Sequence, residues 1–274
     1  MDLVHRPTTL KKGEWGKLLI LAGSSQFSGA AVLASAGALR TGLDIVVFAG
    51  PERTSNAVLY ALPDVVSLGF HGKQLDPKHL KYVAHFRKYP VVIGSGILAT
   101  KGVGKFLKGL LKRFDGPFVL DADALRIVAK EKNPAKLWAG KHVILTPNRT
   151  EYALLTGDKS DHPLQSIEAA AKRLRATILC KGATDVISDG TKTVEVAGGS
   201  PYLAKAGTGD VLAGSAGALL ARGLDPFLAA ETASRLLKAT SERVASHRGP
   251  ALLAGDVADA LDLRLLKRDD PNAG

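Results

Sequence analysis

The sequence is poor in cysteine and lacks long apolar runs. Cys180 is the only cysteine among 274 residues, which excludes an internal disulfide. Its place in an apolar run predicts that it packs as a small hydrophobic residue. No stretch reaches the roughly 18 apolar residues that a membrane span needs, and the charged first 17 residues contain no apolar signal segment. These absences predict a cytoplasmic protein without a membrane partner.

Several catalytic motifs are also missing. The seven histidines include no pair four residues apart and have no cysteine partner, so the sequence predicts no zinc site and no metal-ligating residues. It has no G-x-x-x-x-G-K-[ST] run and no G-x-S-x-G elbow. These absences argue against a P-loop enzyme and against a serine hydrolase of the elbow type.

The net charge of +11 could attract an anionic partner. The basic residues are scattered, however, with no run of five and no interleaved aromatic patch for base stacking. A nucleic-acid partner is therefore not predicted. Anionic small substrates and an ordinary solvated surface both remain open.

Apolar, β-branched runs alternate with helix-length stretches along the chain. The strand-like runs are residues 18–22, 45–48, 65–68, 90–93, 118–120, 143–145 and 177–179. Continuous apolar strands are typical of a parallel sheet covered by helices on both faces. We therefore expect an α/β fold with a doubly wound, mostly parallel central sheet in three α/β/α layers. We expect one domain over residues 1–274, with a frayed tail over 265–274.

Small and polar residues follow five of these runs. They are Gly23-Ser24-Ser25, Gly94-Ser95-Gly96, Asp121-Ala122-Asp123, Thr146-Pro147-Asn148 and Lys181-Gly182. In doubly wound sheets, ligands bind beyond the carboxyl ends of the strands. The site is therefore predicted at this edge.

The strongest motif is Gly207-Thr208-Gly209-Asp210, which precedes an apolar run of small residues. Glycines allow a sharp turn, and the first amides of the following helix can bind a phosphoryl group. Asp210 beside those amides could take a proton from a hydroxyl group. The alternative is that Asp210 only caps the helix.

Two other glycine segments leave alternatives open. Residues 21–31 could cradle a polar substrate or merely pack a strand against a helix. Residues 92–99 match G-x-G-x-x-A, but Asp115 and Asp121 lie in the wrong context for the ribose-binding acid at the end of the next strand of a classical dinucleotide fold. A glycine loop near a substrate is the favoured interpretation.

Charged residues at two strand ends complete the candidates. Asp121 and Asp123 could bind Mg²⁺-bound water or a substrate hydroxyl, or one of them could cap a helix. Lys181 could meet a nucleotide phosphate beside Gly182, or it could be a surface lysine before a turn.

Together, the ordered segments resemble one family, the ADP/ATP-dependent NAD(P)H-hydrate dehydratases of the ribokinase-like superfamily. The likeness extends from Lys12 to Asp256. It is carried by Lys12-Gly13-Glu14-Trp15-Gly16, Ala22-Gly23-Ser24, Ser28-Gly29-Ala30-Ala31, Ala38-Leu39-Arg40-Thr41-Gly42, Ile93-Gly94-Ser95-Gly96, Leu120-Asp121-Ala122-Asp123-Ala124-Leu125, Thr146-Pro147-Asn148, Lys181-Gly182 and Gly207-Thr208-Gly209-Asp210.

The resemblance implies roles for particular residues. The catalytic group would be Gly207, Thr208, Gly209 and Asp210. The hydrated dinucleotide would contact Ala30, Gly96, Asn148 and Asp210. The adenine nucleotide would contact Lys181, Gly182, Ala183, Thr184, Asp185 and Gly209. The chain departs from the family pattern in having Asn148 where histidine is usual and Ala206 where glycine is usual.

The resemblance also implies a reaction and partners. NADHX or NADPHX would be dehydrated at the expense of ADP or ATP, with Mg²⁺ as cofactor. The protein would be a homo-oligomer, a tetramer in the family, without an epimerase domain of its own but with a possible separate epimerase. Two alternatives remain: a ribokinase-like kinase for a sugar or vitamin-precursor hydroxyl, and a non-catalytic nucleotide sensor.

Overall fold

The computed structural model describes residues 2–158 and 163–267. The strands are β1 (Lys17–Leu21), β2 (Ile45–Pro51), β3 (Val66–Phe70), β4 (Val91–Ile93), β5 (Phe118–Leu120), β6 (Val143–Leu145), β7 (Thr177–Cys180), β8 (Asp185–Ser188) and β9 (Thr193–Val196). The α-helices are α1 (Ser28–Arg40), α2 (Glu52–Ala61), α3 (Leu80–Val83), α4 (Lys101–Arg113), α5 (Ala122–Val128), α6 (Arg149–Thr156), α7 (Pro163–Leu174), α8 (Thr208–Ala221), α9 (Pro226–Arg248) and α10 (Ala254–Asp259). Short 3₁₀ helices cover Pro77–His79, Ala84–Phe86, Pro134–Trp138, Pro201–Leu203, Gly249–Ala251 and Leu263–Lys267.

All nine described strands form one sheet in the order β3-β2-β1-β4-β5-β6-β7-β8-β9. Neighbouring strands from β3 to β7 pair in parallel, whereas β8 pairs antiparallel with both β7 and β9. The order reverses between β1 and β4, which confirms the doubly wound, mostly parallel sheet. Each of the seven predicted runs overlaps a strand.

Alternate side chains of each strand enter two separate cores. Leu18 and Ile20 of β1 pack with α1, α8, α9 and α10, whereas Leu19 and Leu21 pack with α4, α5, α6 and α7 on the other face. Strands covered on both faces have no polar side, which is why they are continuously apolar in the sequence. Cys180 belongs to the second core, where burial raises its thiol pKa to about 11.

Small residues bring α1 and α8 into close contact. A Cβ atom at Gly214 would lie 2.0 Å from the carbonyl oxygen of Ala34, and one at Gly37 would lie 2.4 Å from that of Val211. At the other end of the pair, Arg222 donates to the carbonyl of Thr41 over 3.3 Å. The two helices therefore run side by side, and both begin at the edge of the sheet where the parallel strands end.

The C-terminal tail predicted over 265–274 is described in part. Residues 265–267 lie in the 3₁₀ helix Leu263–Lys267, and fraying of the tail stays a prediction. Arg264, in the first turn of that helix, pairs with Asp262 over 2.9 Å. The remaining seven residues of that expectation lie outside the described residues.

A helix that crosses a bilayer must be both long and apolar. No helix among the described residues meets both requirements.

Candidate functional site

The strand-end residues meet where the strand order reverses. The amide of Gly23, after β1, donates to the carbonyl of Ser95, after β4, over 2.7 Å. Farther along the same edge, the amide of Lys181, after β7, donates to the carbonyl of Pro147, after β6, over 2.8 Å. The loops predicted to meet at the carboxyl edge of the sheet are thus joined by main-chain hydrogen bonds.

Asp121, after β5, lies at the centre of this edge with a side chain that is 2% exposed. Its Oδ1 accepts hydrogen bonds from Thr146 Oγ1 over 2.7 Å and from Lys181 Nζ over 2.8 Å, and its Oδ2 accepts one from Ser95 Oγ over 3.2 Å. Although Asp121 precedes α5, its carboxylate makes no capping bond. It therefore belongs to the site and is not a helix cap.

Asp123 has a local role instead. Its Oδ2 accepts from the amide of Leu98 over 3.0 Å, and its Oδ1 lies 3.3 Å from the guanidinium of Arg126. Leu98 has a φ of 69°, an unusual angle for a non-glycine residue. The carboxylate of Asp123 thus holds the turn after β4 and does not join Asp121.

The glycine loop after β4 allows close approach on both sides. Gly94 has a φ of 141°, and a Cβ atom there would lie 1.8 Å from the carbonyl oxygen of Asp121. A Cβ atom at Gly96 would lie 3.1 Å from the Cβ of Ala30. Two of the four residues predicted to contact the dinucleotide are therefore neighbours. Helix α4 begins only after Thr100, its N-cap, so no helix opens within the G-x-G-x-x-A segment.

The predicted glycine turn precedes α8 as expected. Gly207 is the N-cap with a left-handed φ of 97°, and no side chain caps the first turn of the helix. The hydroxyl of Thr208 donates to the carbonyls of Leu203 and Lys205, over 2.8 and 3.0 Å. The helix therefore presents its first amides at the site, while Thr208 secures the turn. Gly207 is the N-cap, so the N-cap interpretation of the Asp210 side chain is wrong, whereas Asp210 does lie in the first turn, where a carboxylate also serves the helix dipole.

Asp210 is a titratable group with strongly altered acidity at this edge. Burial, and after it the negative charge of Asp121, raise its pKa to about 7. The nearby hydroxyl of Ser95 and the positive charge of Lys181 act in the opposite direction and lower the pKa. A carboxylate poised near neutral pH is suited to general base catalysis.

Lys181 lies beside Asp121 and the first turn of α8. Its ammonium donates to Asp121, and a Cβ atom at Gly209 would lie 3.2 Å from its Nζ. Burial lowers the pKa of Lys181, but the carboxylates of Asp121, Glu151 and Asp210 together outweigh burial and hold that pKa above its ordinary value. Lys181 is therefore a charged, paired group at the first turn of α8, and the surface-lysine interpretation is wrong.

The rest of the predicted nucleotide segment divides into two parts. Gly182, Ala183 and Thr184 are exposed in the loop between β7 and β8. Asp185 is 6% exposed, and its carboxylate accepts from the Gly182 amide over 2.8 Å and from Ser234 Oγ over 2.7 Å. The side chain of Asp185 thus shapes the loop from beneath.

Asn148 is exposed and forms the N-cap of α6. Its Oδ1 accepts from the amide of Glu151 over 2.9 Å, and Glu151 Oε2 accepts from the amide of Asn148 over 3.0 Å. This reciprocal capping box satisfies two amides at the start of the helix. The side chain of Asn148 thus has a structural role besides the substrate contact predicted for it.

Sequence reasoning missed functional candidates of two kinds. Ser95 and Thr146 stand in the quoted strand-end segments, so their position was a usable signal, but no role was assigned to them. Ser234 and Lys238 lie in the middle of α9, where nothing in the local pattern distinguishes them from other helical residues. Only their contacts with the loop before β8 reveal them.

Comparison with known proteins supports a common origin for this site. A family model described as NAD(P)H-hydrate dehydratase matches residues 18–263. A bifunctional NAD(P)H-hydrate repair enzyme of Pyrobaculum aerophilum is 32% identical over 94% of the chain and 52% of that protein. An ADP-dependent (S)-NAD(P)H-hydrate dehydratase of Cenarchaeum symbiosum is 31% identical over 92% of the chain and 88% of that protein. The chain spans about half the length of the first curated relatives that it matches.

The fold also matches solved structures over nearly its whole length. A crystal structure of the ADP/ATP-dependent NAD(P)H-hydrate dehydratase of Bacillus subtilis, co-crystallised with ATP and Mg²⁺, is similar with a TM-score of 0.83 and 30% identity. That match covers 98% of this chain and 95% of the other. A ribokinase-like protein of Enterococcus faecalis, 18% identical with a TM-score of 0.83, shares the fold.

Proposed function

The chain belongs to the NAD(P)H-hydrate dehydratase family, and on that premise we propose that it converts (6S)-NADHX or NADPHX to NADH or NADPH at the expense of ADP or ATP. The observation that carries the proposal is Asp210, a carboxyl group whose pKa is raised to about 7 at the uncapped start of α8. A base and an anion-binding helix start are the two groups that phosphorylation of a hydroxyl requires.

Asp210 begins the proposed reaction as general base. It takes the proton of the hydroxyl on the hydrated ring carbon, and the oxygen attacks the terminal phosphorus of the nucleotide. The new O–P bond forms as the bond to the leaving AMP or ADP breaks. The C–O bond then breaks with loss of phosphate, driven by the ring nitrogen lone pair. Loss of a proton from the adjacent carbon restores the double bond of the dihydronicotinamide.

The first turn of α8 and Lys181 stabilise the transferring group. The amides of Thr208 and Gly209 lie at the positive end of the helix dipole, beyond the turn at Gly207. Lys181 lies against Gly209 and adds a full positive charge. Hydrogen-bond donors fixed before the reaction stabilise the developing charge without reorganisation.

The two substrates approach from opposite sides of Asp210 in this proposal. The nucleotide lies along the exposed loop Gly182, Ala183 and Thr184, with Asp185 shaping that loop from below. The dinucleotide lies over Ala30 and Gly96 in this proposal, where a Cβ atom at Gly96 would clash with Phe27. Asn148 lies at the end of β6, on the same edge of the sheet as Lys181.

Magnesium fits this site only together with the nucleotide. The described residues contain no group of three or more histidine, cysteine, aspartate or glutamate side chains that could hold a metal. Both oxygens of Asp121 already accept hydrogen bonds, which leaves Asp210 as the carboxylate facing the ligand. Mg²⁺ is commonly bound by one or two carboxylates plus substrate phosphates. It would screen the phosphate charge there.

The proposal extends to partners and assembly. Some relatives carry the name bifunctional NAD(P)H-hydrate repair enzyme, and an epimerase that acts on the same hydrates stays a prediction. A homo-oligomer, a cytoplasmic location and a single domain over residues 1–274 stay predictions, as does each assigned ligand contact.

One assay tests the proposed function. The protein is incubated with chemically prepared NADH hydrate and either ADP or ATP, and the absorbance of the reduced nicotinamide is followed, with Asp210→Asn as control. We expect absorbance to return only with nucleotide and only with the wild-type residue. Without such a return, nucleotide-dependent phosphorylation of a small alcohol would favour the kinase alternative. Nucleotide binding without any turnover would favour the sensor.

A further inference from the structure

Lys238 is a buried cation that faces main-chain carbonyls. Lys238 is 5% exposed and lies in the middle of α9. Its Nζ donates to the carbonyl of Ala183 over 2.8 Å and lies 3.4 Å from that of Gly182. It also donates to the carbonyl of Gly198 over 3.2 Å. One ammonium thus joins two loops that are far apart in the sequence.

The first of these loops is the proposed nucleotide loop before β8. Asp185 supports it from below, because its carboxylate accepts from the Gly182 amide and from Ser234 Oγ. Lys238 Nζ lies 3.7 Å from the same carboxylate. Ser234 and Lys238 are four residues apart and therefore lie on one face of α9. This face of α9 thus contacts two carbonyls of the loop and the carboxylate that binds the Gly182 amide.

The second loop leads to the start of α8. After Gly198, the amide of Gly199 donates to Glu242 Oε1 over 2.6 Å, and that of Ser200 donates to Ser241 Oγ over 3.0 Å. A few residues later, the carbonyl of Leu203 accepts the hydroxyl of Thr208 over 2.8 Å. The contacts of α9 are therefore continuous with the glycine turn and with the first turn of α8.

We propose that Lys238 is a positioning residue that holds the loop of residues 182–184 and the segment of residues 198–203 at the separation at which both meet the nucleotide. The inference rests on the proposed function, because it takes that loop and the start of α8 to be the nucleotide side of the site. Lys238 does not touch a ligand in this account. It acts through the three carbonyls that it binds, and its loss affects nucleotide binding more than dinucleotide binding.

The test compares Lys238→Met and Lys238→Ala with a matched control in the full chain. Lys141 is the control, since its Nζ donates to the carbonyl of Phe114 over 2.6 Å at the opposite edge of the sheet. We expect the Lys238 variants to raise KM for ADP and ATP by about tenfold or more, as the loss of hydrogen bonds to a charged group allows. KM for the hydrate should change by no more than about threefold, and Lys141→Met should leave both constants unchanged.

Chemical rescue separates a missing ammonium from general damage. Propylammonium supplies the three carbons and the ammonium that Lys238→Ala lacks, and it should lower KM for the nucleotide. Tetramethylammonium has the same charge but no N–H donor, and it should have no effect. Equal action of both salts, or no rescue by either, overturns the assignment.

Hydrogen exchange tests the same inference without any assay of turnover. The amides of Gly182, Gly199 and Ser200 should exchange about tenfold faster or more in Lys238→Met, since local opening exposes them, while those of α4 stay unchanged. If these amides exchange faster in the variant but the wild-type protein does not dehydrate the hydrate, the positioning role stands and the proposed function is wrong. If exchange is faster throughout the chain, or is unchanged at these three amides, the positioning role is wrong.

A milder variant covers the case in which both Lys238 variants fail to fold. Ser234→Ala removes one donor to Asp185 and keeps the ammonium. We expect a smaller rise in the nucleotide KM, by about threefold, together with faster exchange at Gly182. An unchanged KM and unchanged exchange in this variant overturn the inference.

Discussion

Lys181 Nζ donates to Asp121 Oδ1 over 2.8 Å, although the two residues are 60 positions apart in the chain. The pair unites the ends of β5 and β7 beside the first turn of α8. A phosphate that approaches Lys181 therefore meets an ammonium already shared with a carboxylate. The same carboxylate keeps the pKa of Asp210 high, so the pair affects both halves of the proposed reaction.

The first prediction concerns the proposed base. Asp210→Asn keeps the shape of the side chain but removes the proton acceptor. We expect turnover of the hydrate to fall roughly 10²–10⁴-fold, with nucleotide affinity and thermal unfolding nearly unchanged. Steady-state kinetics and calorimetry measure these quantities. A variant that retains more than about a tenth of the wild-type rate contradicts the assignment of the base.

The second prediction is a pH dependence. A base acts only when it is ionised, so kcat/KM should rise with pH and level off above about 7, the pKa of Asp210. Asp121→Asn removes a negative charge that raises this pKa, and the rising limb should therefore move to lower pH. Asp123→Asn is the matched control, because that carboxylate holds the Leu98 turn instead. If the pH at which kcat/KM rises is unchanged in Asp121→Asn, or shifts equally in Asp123→Asn, the charge of Asp121 does not set the pKa of Asp210.

The third prediction separates the two roles of Lys181. Lys181→Met should weaken ADP or ATP binding more than dinucleotide binding, as calorimetry with each ligand would show. It should also lower the free energy of unfolding by about 3–5 kcal/mol, since Asp121 is left buried without its cation. The double variant Lys181→Met, Asp121→Asn should recover much of that stability without recovering nucleotide affinity. Equal loss of affinity for both ligands would show a purely structural lysine.

The fourth prediction concerns Asn148, which caps α6 and is also a proposed substrate contact. Asn148→Ala should reduce the free energy of unfolding by about 0.5–2 kcal/mol, the usual cost of a lost N-cap. Asn148→Asp should keep the cap and the stability but lose the amide donors. If the amide contacts the dinucleotide, kcat/KM on the hydrate falls in the aspartate variant as well. An aspartate variant with wild-type kinetics would leave Asn148 with the capping role alone.

The sheet was predictable because its strands are buried on both faces. Runs such as residues 118–120 and 143–145 are apolar without alternation, and each became a strand. The β8–β9 hairpin was not predicted. Its first residue, Asp185, is polar and was interpreted as a ligand contact, whereas the structure buries it against Ser234 of α9. In the sequence alone, a buried aspartate such as Asp185 cannot be distinguished from a loop residue, because its partner Ser234 lies far along the chain.

The sequence by itself determined where the site lies. Parallel strands end at one edge, so Gly94, Asp121 and Lys181 had to meet there, and local patterns are sufficient to show it. The turn at Gly207 follows no parallel strand, and the fold brings it to that edge. Only the tertiary structure decided what each side chain does, because pairing, burial and acidity depend on residues far apart in the chain. The bond between Lys181 and Asp121, the pKa of Asp210 near 7 and the carbonyls around Lys238 all arise in this way.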